Sequence, residues 1–253
     1  MNMILEATDL CKTYIVNKVQ NNVLCNVNLQ LEEGEFVSVM GPSGSGKSTL
    51  LYTVSGMDGM TAGDVKLESV SLKNMKEKEL SNLRLAKMGF IFQQMYMMKN
   101  LCIQDNIILP GYEAKRESRE VINERARKLM RELEVSDCAK NDITEVSGGQ
   151  LQRACICRAL INQPKILFAD EPTGALNSKA ADQVMRQLVH ANQNGTTILM
   201  VTHSSRVAAC SDKVIYLVDG GVRGVSTLGK LKEESELKYR EKALQNWLME
   251  QGW

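Results

Sequence analysis

Residues 35–51 read EFVSVMGPSGSGKSTLL, an apolar run that leads into a glycine-rich loop. The run is typical of a buried strand in a parallel sheet, and the residues after Gly46 predict a helix over 47–55. The glycines let backbone N–H groups face phosphate oxygens, Lys47 supplies positive charge, and Ser48 can bind magnesium. This pattern predicts a nucleoside triphosphate site rather than a Gly-Ser turn that fits by chance. The predicted phosphate-binding residues are Gly41, Ser43, Gly44, Ser45, Gly46, Lys47, Ser48 and Thr49.

The stretch KILFADEP at 165–172 supplies the carboxylates that such a site needs. An apolar strand ends at Asp170, where a carboxylate can enter the magnesium shell beside Ser48. Glu171 follows directly and can orient or deprotonate the attacking water. Adjacent carboxylates also occur as a solvated loop pair, but the phosphate loop upstream favours a metal ligand at Asp170 and a catalytic role for Glu171.

A second helix start with phosphate-binding character lies in VSGGQLQR at 146–153. Ser147 and Gln150 fit a capping box, and Gly148 and Gly149 leave N–H groups open at the positive end of the helix. An ordinary capped helix is the alternative. One nucleotide seldom reaches two helix starts in one chain, so these four residues indicate a site that a second copy of the protein completes.

Strands and helices alternate over most of the chain. Residues 94–162 show helical periodicity instead, with Val121, Leu129, Met130 and Leu133 near one face of an amphipathic helix. The alternation predicts an α/β fold with a largely parallel sheet and a helical insertion. Residues 234–253 predict a polar terminal helix with little core-forming power. The expected β segments are MILEAT, VNLQLEEGEFVSVM, DVKLESVSL, GFIFQ, KILFAD, TTILMVT and KVIYLVD, the last followed by a DGG hairpin turn.

Composition excludes several classes of protein. The 253 residues carry 31 Lys and Arg against 30 Asp and Glu, so the basic excess of a nucleic-acid binder is absent. The sequence shows no apolar run long enough for a membrane helix, and an N-terminus with Glu6 and Asp9 is not expected to be a signal peptide. We therefore expect a cytosolic chain. Two His and seven Cys without a C-x-x-C pair argue against zinc and favour buried, reduced thiols.

Together these motifs, in this order, resemble the ATP-binding subunit of an ABC transporter, over residues 3 to about 225. The resemblance implies a P-loop NTPase (RecA-like) core with an antiparallel β subdomain and an inserted α-helical subdomain. It implies that Tyr14 in CKTY stacks on adenine, that Gln93 in GFIFQQ touches magnesium, and that His203 in VTHS contacts the γ-phosphate. Gln93 and His203 thereby join the catalytic residues. The implied division is a core of 1–93 and 163–225, a helical subdomain of 94–162 and a tail of 226–253, within one domain of 1–253.

Three positions depart from the pattern of that family. Val146 stands where Leu is usual, a change that should keep the packing of the signature segment. Asn177 in GALN stands where Asp is usual, which removes a charge near the expected dimer interface and puts communication between the two sites in doubt. Ser204 replaces a common Asp after His203, and we expect this change to be tolerated.

The layout of the loops, DEPTGALNSKA at 170–180 and GMD at 56–58 resemble the branch of lipoprotein release, macrolide export and bacitracin or lantibiotic resistance. This resemblance implies an ATPase that uses ATP and Mg2+, forms an ATP-sandwich homodimer and drives a separate integral-membrane permease from the cytoplasmic face of the membrane. No nucleic-acid partner is expected. The Met and aromatic residues at 95–98 are expected to receive the permease, or else to fill the core of the helical subdomain.

Other classes of ATPase remain to be weighed. Chromosome-organising and DNA-repair members separate the phosphate loop from the signature by long coiled coils, and only about a hundred residues lie between them here. Translation factors of the superfamily need two tandem units. A cell-division type of ATPase, which signals through a permease-like partner without moving a substrate, stays open as the alternative.

Overall fold

The glycine-rich loop follows an interior strand of a six-stranded sheet in the computed structural model, which describes residues 2–174 and 176–253. Its strands and those of a second sheet are β1 (Met3–Val16), β2 (Val19–Glu32), β3 (Phe36–Met40), β4 (Ala62–Leu67), β5 (Val70–Ser71), β6 (Met88–Ile91), β7 (Ile166–Asp170), β8 (Thr197–Val201), β9 (Lys213–Val218) and β10 (Gly221–Thr227). The helices are α1 (Lys47–Val54), α2 (Glu77–Lys87), α3 (Ile103–Ala114), α4 (Arg119–Glu132), α5 (Gly148–Leu160), α6 (Ser178–Gln193), α7 (Ser205–Ala208) and α8 (Leu237–Glu250).

The six-stranded sheet has the order β10-β9-β3-β8-β7-β6 and is parallel except at β10. Strands β3, β7 and β8 are buried along their whole length because elements cover both faces of the sheet. The loop after β3 and Asp170 at the end of β7 therefore lie at the same carboxyl edge. The sheet confirms the predicted α/β fold, and the DGG segment forms the β9–β10 turn.

The second sheet is antiparallel, with the order β2-β1-β4-β5. Its main part is a long hairpin in which Met3 pairs with Glu32 and Val16 with Val19. Asn17 and Lys18 both have positive φ, as a tight two-residue hairpin turn requires. The sequence expectation of a strand confined to MILEAT was wrong, because pairing with β2 extends β1 to Val16.

Helices α3, α4 and α5 occupy the segment 94–162 and pack on one another, and α5 also packs on β6 of the parallel sheet. The buried face of α4 consists of Ile122, Ala126 and Met130, and Leu133 follows it in the core. The expected place of Val121 on this face was wrong, since its side chain is 44% exposed. Met130 and Leu133 are buried as expected and Leu129 is half-buried, so only Val121 is misplaced, and Ile122 is the buried residue beside it. The predicted boundaries of the core, the helical subdomain and the tail stay a prediction.

The C-terminal helix α8 contributes to the core, contrary to expectation. Leu244 and Leu248 are fully buried against Met40 and Tyr216 of the sheet. The guanidinium of Arg240 donates to four carbonyl oxygens, those of Ala209, Ser211, Leu228 and Gly229. Two buried leucines and one buried arginine, with Trp247 packed beside them, thus fix a largely polar helix to the fold.

The cysteines are only partly as expected. Cys138, Cys155, Cys157 and Cys210 are buried, whereas Cys25 is exposed and the remaining two are half-buried. All seven are free thiols. Within residues 2–174 and 176–253, no helix has the length and apolar character that crossing a membrane requires.

Candidate functional site

The phosphate loop is shaped by close backbone packing between β3 and α1. A Cβ at Gly41 would lie 2.1 Å from the carbonyl oxygen of Leu217, and a Cβ at Gly46, whose φ is 96°, would lie 2.8 Å from that of Val23. Ser45 is buried, and its Oγ has no hydrogen-bond partner among the described residues. The loop thus requires glycine for steric reasons and holds a polar oxygen ready for a ligand.

Lys47 lies at the first position of α1, and its side chain folds back onto the phosphate loop. Its Nζ donates to the carbonyl oxygens of Gly41 at 2.9 Å and Pro42 at 2.8 Å. Burial lowers the pKa of Lys47, although the carboxylates of Glu171 and Asp170 act in the opposite direction. Two carbonyl oxygens hold the ammonium group of Lys47, and the carboxylates of Glu171 and Asp170 favour its charged form. This charged group can exchange the carbonyl oxygens for the phosphate oxygens of a nucleotide.

Asp170 is 4% exposed, and hydroxyl groups bind both of its carboxylate oxygens. Ser48 Oγ donates to Oδ1 at 2.8 Å, and the hydroxyl of Tyr52 donates to Oδ2 at 2.6 Å. Burial and this bond raise the pKa of Tyr52. The sequence analysis missed Tyr52, whose spacing of four residues from Ser48 was the available signal.

The residues at this point fit Mg2+. Ser48 and Asp170 offer the hard oxygen ligands that this ion prefers, and one or two carboxylates suffice when phosphate oxygens complete the shell. No cluster of three or more His, Cys, Asp or Glu forms within residues 2–174 and 176–253, so a metal cage made by protein alone is not present there.

Glu171 and His203 form the second part of the site. Glu171 Oε1 lies 3.0 Å from Nδ1 of His203, and an ionised carboxylate only accepts, so Nδ1 donates in this pair. Oε2 of Glu171 is buried and has no hydrogen-bond partner in the described part of the chain. Glu171 has a φ of 47°, an uncommon backbone for a residue that is not glycine and one that recurs at active sites. One oxygen is thus held while the other is left for a water molecule.

Tyr14 lies on β1, and its stacking on adenine stays a prediction. Its hydroxyl donates to Oδ2 of Asp58, whose Oδ1 accepts from Lys12 at 2.5 Å. Lys12 Nζ also lies 4.7 Å from the centre of the Tyr14 ring. Burial and the bond with Asp58 raise the pKa of Tyr14. These contacts, which the sequence did not indicate, fix the ring at the edge of the site.

Gln93 is exposed in the loop after β6, and Gly174 lies near its Nε2. Arg158 of α5 holds the next part of this loop by donating to the carbonyl oxygens of Met95 and Tyr96. A direct contact of Gln93 with Asp170 or Ser48 is not among the hydrogen bonds of the described residues. The expected metal-ligand role of Gln93 therefore stays a prediction.

The signature segment forms the capped helix start that the sequence predicts. Ser147 Oγ accepts from the N–H of Gln150 at 3.3 Å, and Gln150 Oε1 accepts from the N–H of Ser147 at 2.9 Å. Ser147 and Gly148 are exposed, and a Cβ at Gly148 would meet nothing within 4 Å. Val146 packs on the core, as expected for a conservative change. The helix start is therefore open to a ligand.

The other two departures act as helix caps. Asn177 Oδ1 accepts from the N–H of Ala180 at 2.9 Å at the start of α6, and Ser204 Oγ accepts from the N–H of Val207 at 3.4 Å at the start of α7. Asn and Ser cap helices about as well as Asp does. Both positions thus keep the local structure while they lose a charge.

The structure brings one group of predicted residues together and leaves another on a different packing unit. Hydrogen bonds join Ser48 to Asp170 and Glu171 to His203, with Lys47 beside both carboxylates. Helix α1 packs on β1, β2, β7 and β8, whereas α5 packs on α3, α4, α6 and β6. The N-termini of α1 and α5 therefore lie in different parts of the fold.

Comparison with known proteins identifies this combination of fold and motifs. A family model described as ABC transporter matches residues 24–174, more than half of the chain. The chain belongs to the ABC transporter family. It is an ATP-binding subunit and an ATPase that powers a separate permease.

Relatives of known name support this assignment. The chain is 40% identical over 220 residues to the bacitracin export ATP-binding protein BceA of Halalkalibacterium halodurans, covering 87% of each chain. It is 42% identical over 205 residues to the lipoprotein-releasing system ATP-binding protein LolD of Aquifex aeolicus, covering 81% of this chain and 91% of that one. It is also 38% identical over 251 residues to the macrolide export ATP-binding/permease protein MacB of Campylobacter fetus, covering 97% of this chain but 39% of MacB.

A solved structure shows the same fold. The dimeric, post-hydrolysis state of the ATP-binding cassette MJ0796, bound to ADP and phosphate, is similar with a TM-score of 0.85 and 38% identity. The similarity covers 90% of this chain and 100% of MJ0796, a protein of Methanocaldococcus jannaschii. In general terms, the comparisons support a homodimer of this chain and a membrane permease as partner.

Proposed function

We propose that this chain hydrolyses ATP with Mg2+ in two sites that are shared between two copies, and that it does so beneath a permease. The carrying observation is that one buried carboxylate oxygen of Glu171 has no partner among the described residues, while His203 holds the other at 3.0 Å. This geometry suits a group that binds and orients a water molecule. The other site residues predicted from the sequence bind the nucleotide and the metal ion.

Each residue has a distinct part in the proposed reaction. Tyr14 offers a ring to adenine, and Lys47 with the N–H groups of 41–49 binds the phosphates. Ser48, Asp170 and Gln93 would hold Mg2+, which when bound would neutralise phosphate charge. Glu171 accepts a proton as the oxygen of water bonds to the γ-phosphorus and the bond to the bridging oxygen breaks, giving ADP and phosphate. His203 contacts the γ-phosphate, as the resemblance implies, and also keeps Glu171 in place.

Substitutions at Lys47 and Glu171 separate binding from chemistry. Lys47→Ala should weaken nucleotide binding and turnover together, because it removes charge from the phosphates. Glu171→Gln should bind ATP normally but turn over at least about a hundredfold more slowly, since general bases contribute roughly that much or more. Glu124→Gln, an exposed position on α4, is the matched control. A Glu171→Gln protein with near wild-type turnover would refute the role of Glu171.

The shared site follows from the two helix starts. The open start of α5 at Ser147 and Gly148 offers N–H groups to the γ-phosphate of a nucleotide bound by the partner. Mixing Lys47→Ala with Ser147→Arg proteins, each inactive alone, produces heterodimers with one intact site. Some activity should return, up to about half per heterodimer if the sites act independently. A Lys47→Ala protein mixed with itself is the control, since it contains no intact site.

The permease is proposed to dock beside Gln93, which would place the chain at the cytoplasmic face of the membrane. Tyr96 and Met98 are 61% and 53% exposed there, and an adaptable methionine suits an irregular groove. Met97 instead packs on the helical core, so it is a poor site for a test substitution. Met98→Glu should abolish co-purification with the permease, whereas Met249→Glu, at an exposed position on α8, should not. Retained co-purification of Met98→Glu would remove this surface from the proposal.

The transported substrate is proposed to be an antimicrobial peptide. The names of BceA, MacB and LolD refer to bacitracin export, macrolide export and lipoprotein release, and BceA, whose name refers to a peptide antibiotic, is 40% identical to this chain over 87% of each chain. Cells with Glu171→Gln in place of the wild-type chain should become more sensitive to bacitracin and keep their sensitivity to erythromycin. The reverse pattern would favour macrolide export. The cell-division type of ATPase is not favoured by these relatives.

A further inference from the structure

Tyr52 donates a hydrogen bond to the carboxylate that is proposed to bind the metal. Its hydroxyl lies 2.6 Å from Oδ2 of Asp170, while Ser48 Oγ lies 2.8 Å from Oδ1. Ser48 and Tyr52 are four residues apart on α1 and therefore share one face of the helix. A carboxylate with one donor can rotate about its Cβ–Cγ bond, whereas donors on opposite oxygens fix its plane.

Aromatic packing fixes the ring of Tyr52. The centre of its ring lies 6.3 Å from that of Phe92, the residue immediately before Gln93. Phe92 also stacks on Phe90 at 5.8 Å and contacts Tyr96 edge-on at 5.3 Å. Tyr52 therefore touches both the metal-binding carboxylate and the loop that is proposed to meet the permease.

We propose that Tyr52 is a positioning residue for Asp170 and that its contact with Phe92 ties this carboxylate to the Gln93 loop. The proposal rests on the proposed function, because it takes Asp170 as a metal ligand. Tyr52 does not touch nucleotide or metal in this account. It acts by holding the orientation of Asp170, as outer partners of metal ligands commonly do. Movement of the loop at Phe92 would then change how firmly Asp170 is held.

The test compares ATP affinity with and without a divalent cation. ATP binding to the Glu171→Gln protein, which keeps the bound ATP intact, is measured in EDTA and in excess Mn2+. Tyr52→Phe should change the dissociation constant in EDTA by less than about twofold, because Lys47 and the loop are untouched. The increase in ATP affinity on going from EDTA to Mn2+ should be about tenfold smaller in Tyr52→Phe than in its parent. This is the size expected for loss of an outer-shell partner. A purely structural role would weaken binding equally in both conditions.

Two further variants complete the design. Tyr96→Phe, which removes a hydroxyl from the same aromatic group, should leave the Mn2+ gain unchanged. Phe92→Leu keeps the Tyr52 hydroxyl but loosens its ring, so it should give a smaller loss of the same kind, and it tests the proposal even if Tyr52→Phe does not fold. An undiminished Mn2+ gain in Tyr52→Phe or in Phe92→Leu would overturn the proposal. Absence of ATP binding in the parent protein would instead overturn the proposed function.

Discussion

Gly148 provides a sharp test of the shared site. A side chain fits at this position in the monomer, whereas in the proposed dimer the position faces the nucleotide bound by the partner. It is the first residue of α5, it is exposed, and a Cβ there would meet no atom of the described residues within 4 Å. Gly148→Asp therefore adds a negative charge at the positive end of a helix without a steric conflict. In the dimer, this charge would face the γ-phosphate bound by the partner.

The two effects of Gly148→Asp have opposite signs. Replacing Gly within a helix and placing a carboxylate at its N-terminus each stabilise by a few tenths of a kcal/mol, so the free energy of unfolding should stay equal or rise by up to about 1 kcal/mol. Repulsion from a phosphate charge about 4 Å away costs about 1 kcal/mol in bulk water and about 4 kcal/mol at an effective dielectric constant of about 20. This range corresponds to a loss of about fivefold to about a thousandfold for each shared site, and the dimer contains two such sites.

Chemical denaturation and steady-state ATPase assays measure these two effects. Gly148→Asn is the matched control, since it adds the same bulk without the charge and should lose less activity. Addition of salt should partly restore the activity of Gly148→Asp, because screening weakens the repulsion. A Gly148→Asp protein with wild-type ATPase activity would refute the placing of α5 against the phosphate. A clear loss of stability would refute the structural reasoning.

Three further predictions concern the supports of the site. Asn177→Ala should lower the free energy of unfolding by about 1 kcal/mol in a urea titration, since the cap of α6 is lost. Asn177→Asp should leave the free energy of unfolding unchanged, because Asp caps equally well. Equal free energies of unfolding for the wild-type protein and both variants would contradict the role of this cap. A thiol reagent at neutral pH should label Cys25 and leave Cys155 unlabelled until the protein is denatured. The reason is that burial raises the pKa of the Cys155 thiol to about 11, and only the thiolate reacts. Fast labelling of Cys155 in the native protein, detected by mass spectrometry, would count against the burial. Arg240→Met should destabilise by at least about 2 kcal/mol in the same urea titration, because buried carbonyl groups lose their donor, and an unchanged midpoint would show that α8 is held by its leucines alone.

The parts of the site that lie within short stretches could be predicted from the sequence. The phosphate loop, the strand that ends at Asp170 and the capping box at Ser147 each depend on residues a few positions apart. Backbone hydrogen bonding and helix geometry act over this range, so the spacing of residue types carries the information. The structure accordingly has each of these segments where the sequence indicates it.

Contacts between distant segments could not be predicted in the same way. Tyr52 meets Asp170 across 118 positions, and Lys12 meets Asp58 across 46, because strands and helices bring them together. The core role of α8 was missed for a related reason. Its composition is polar, but Arg240 is buried through carbonyl groups that only the fold places beside it.

The measurement that tests the central claim most directly is the mass of the Glu171→Gln protein in solution with and without ATP. In sedimentation velocity, the protein should be monomeric without nucleotide and dimeric in saturating ATP, since the bound γ-phosphate joins the phosphate loop of one copy to α5 of the other. The double variant with both Lys47→Ala and Glu171→Gln should stay monomeric in saturating ATP. A Glu171→Gln protein that stays monomeric in saturating ATP, even with the permease reconstituted, would contradict a site shared between two copies.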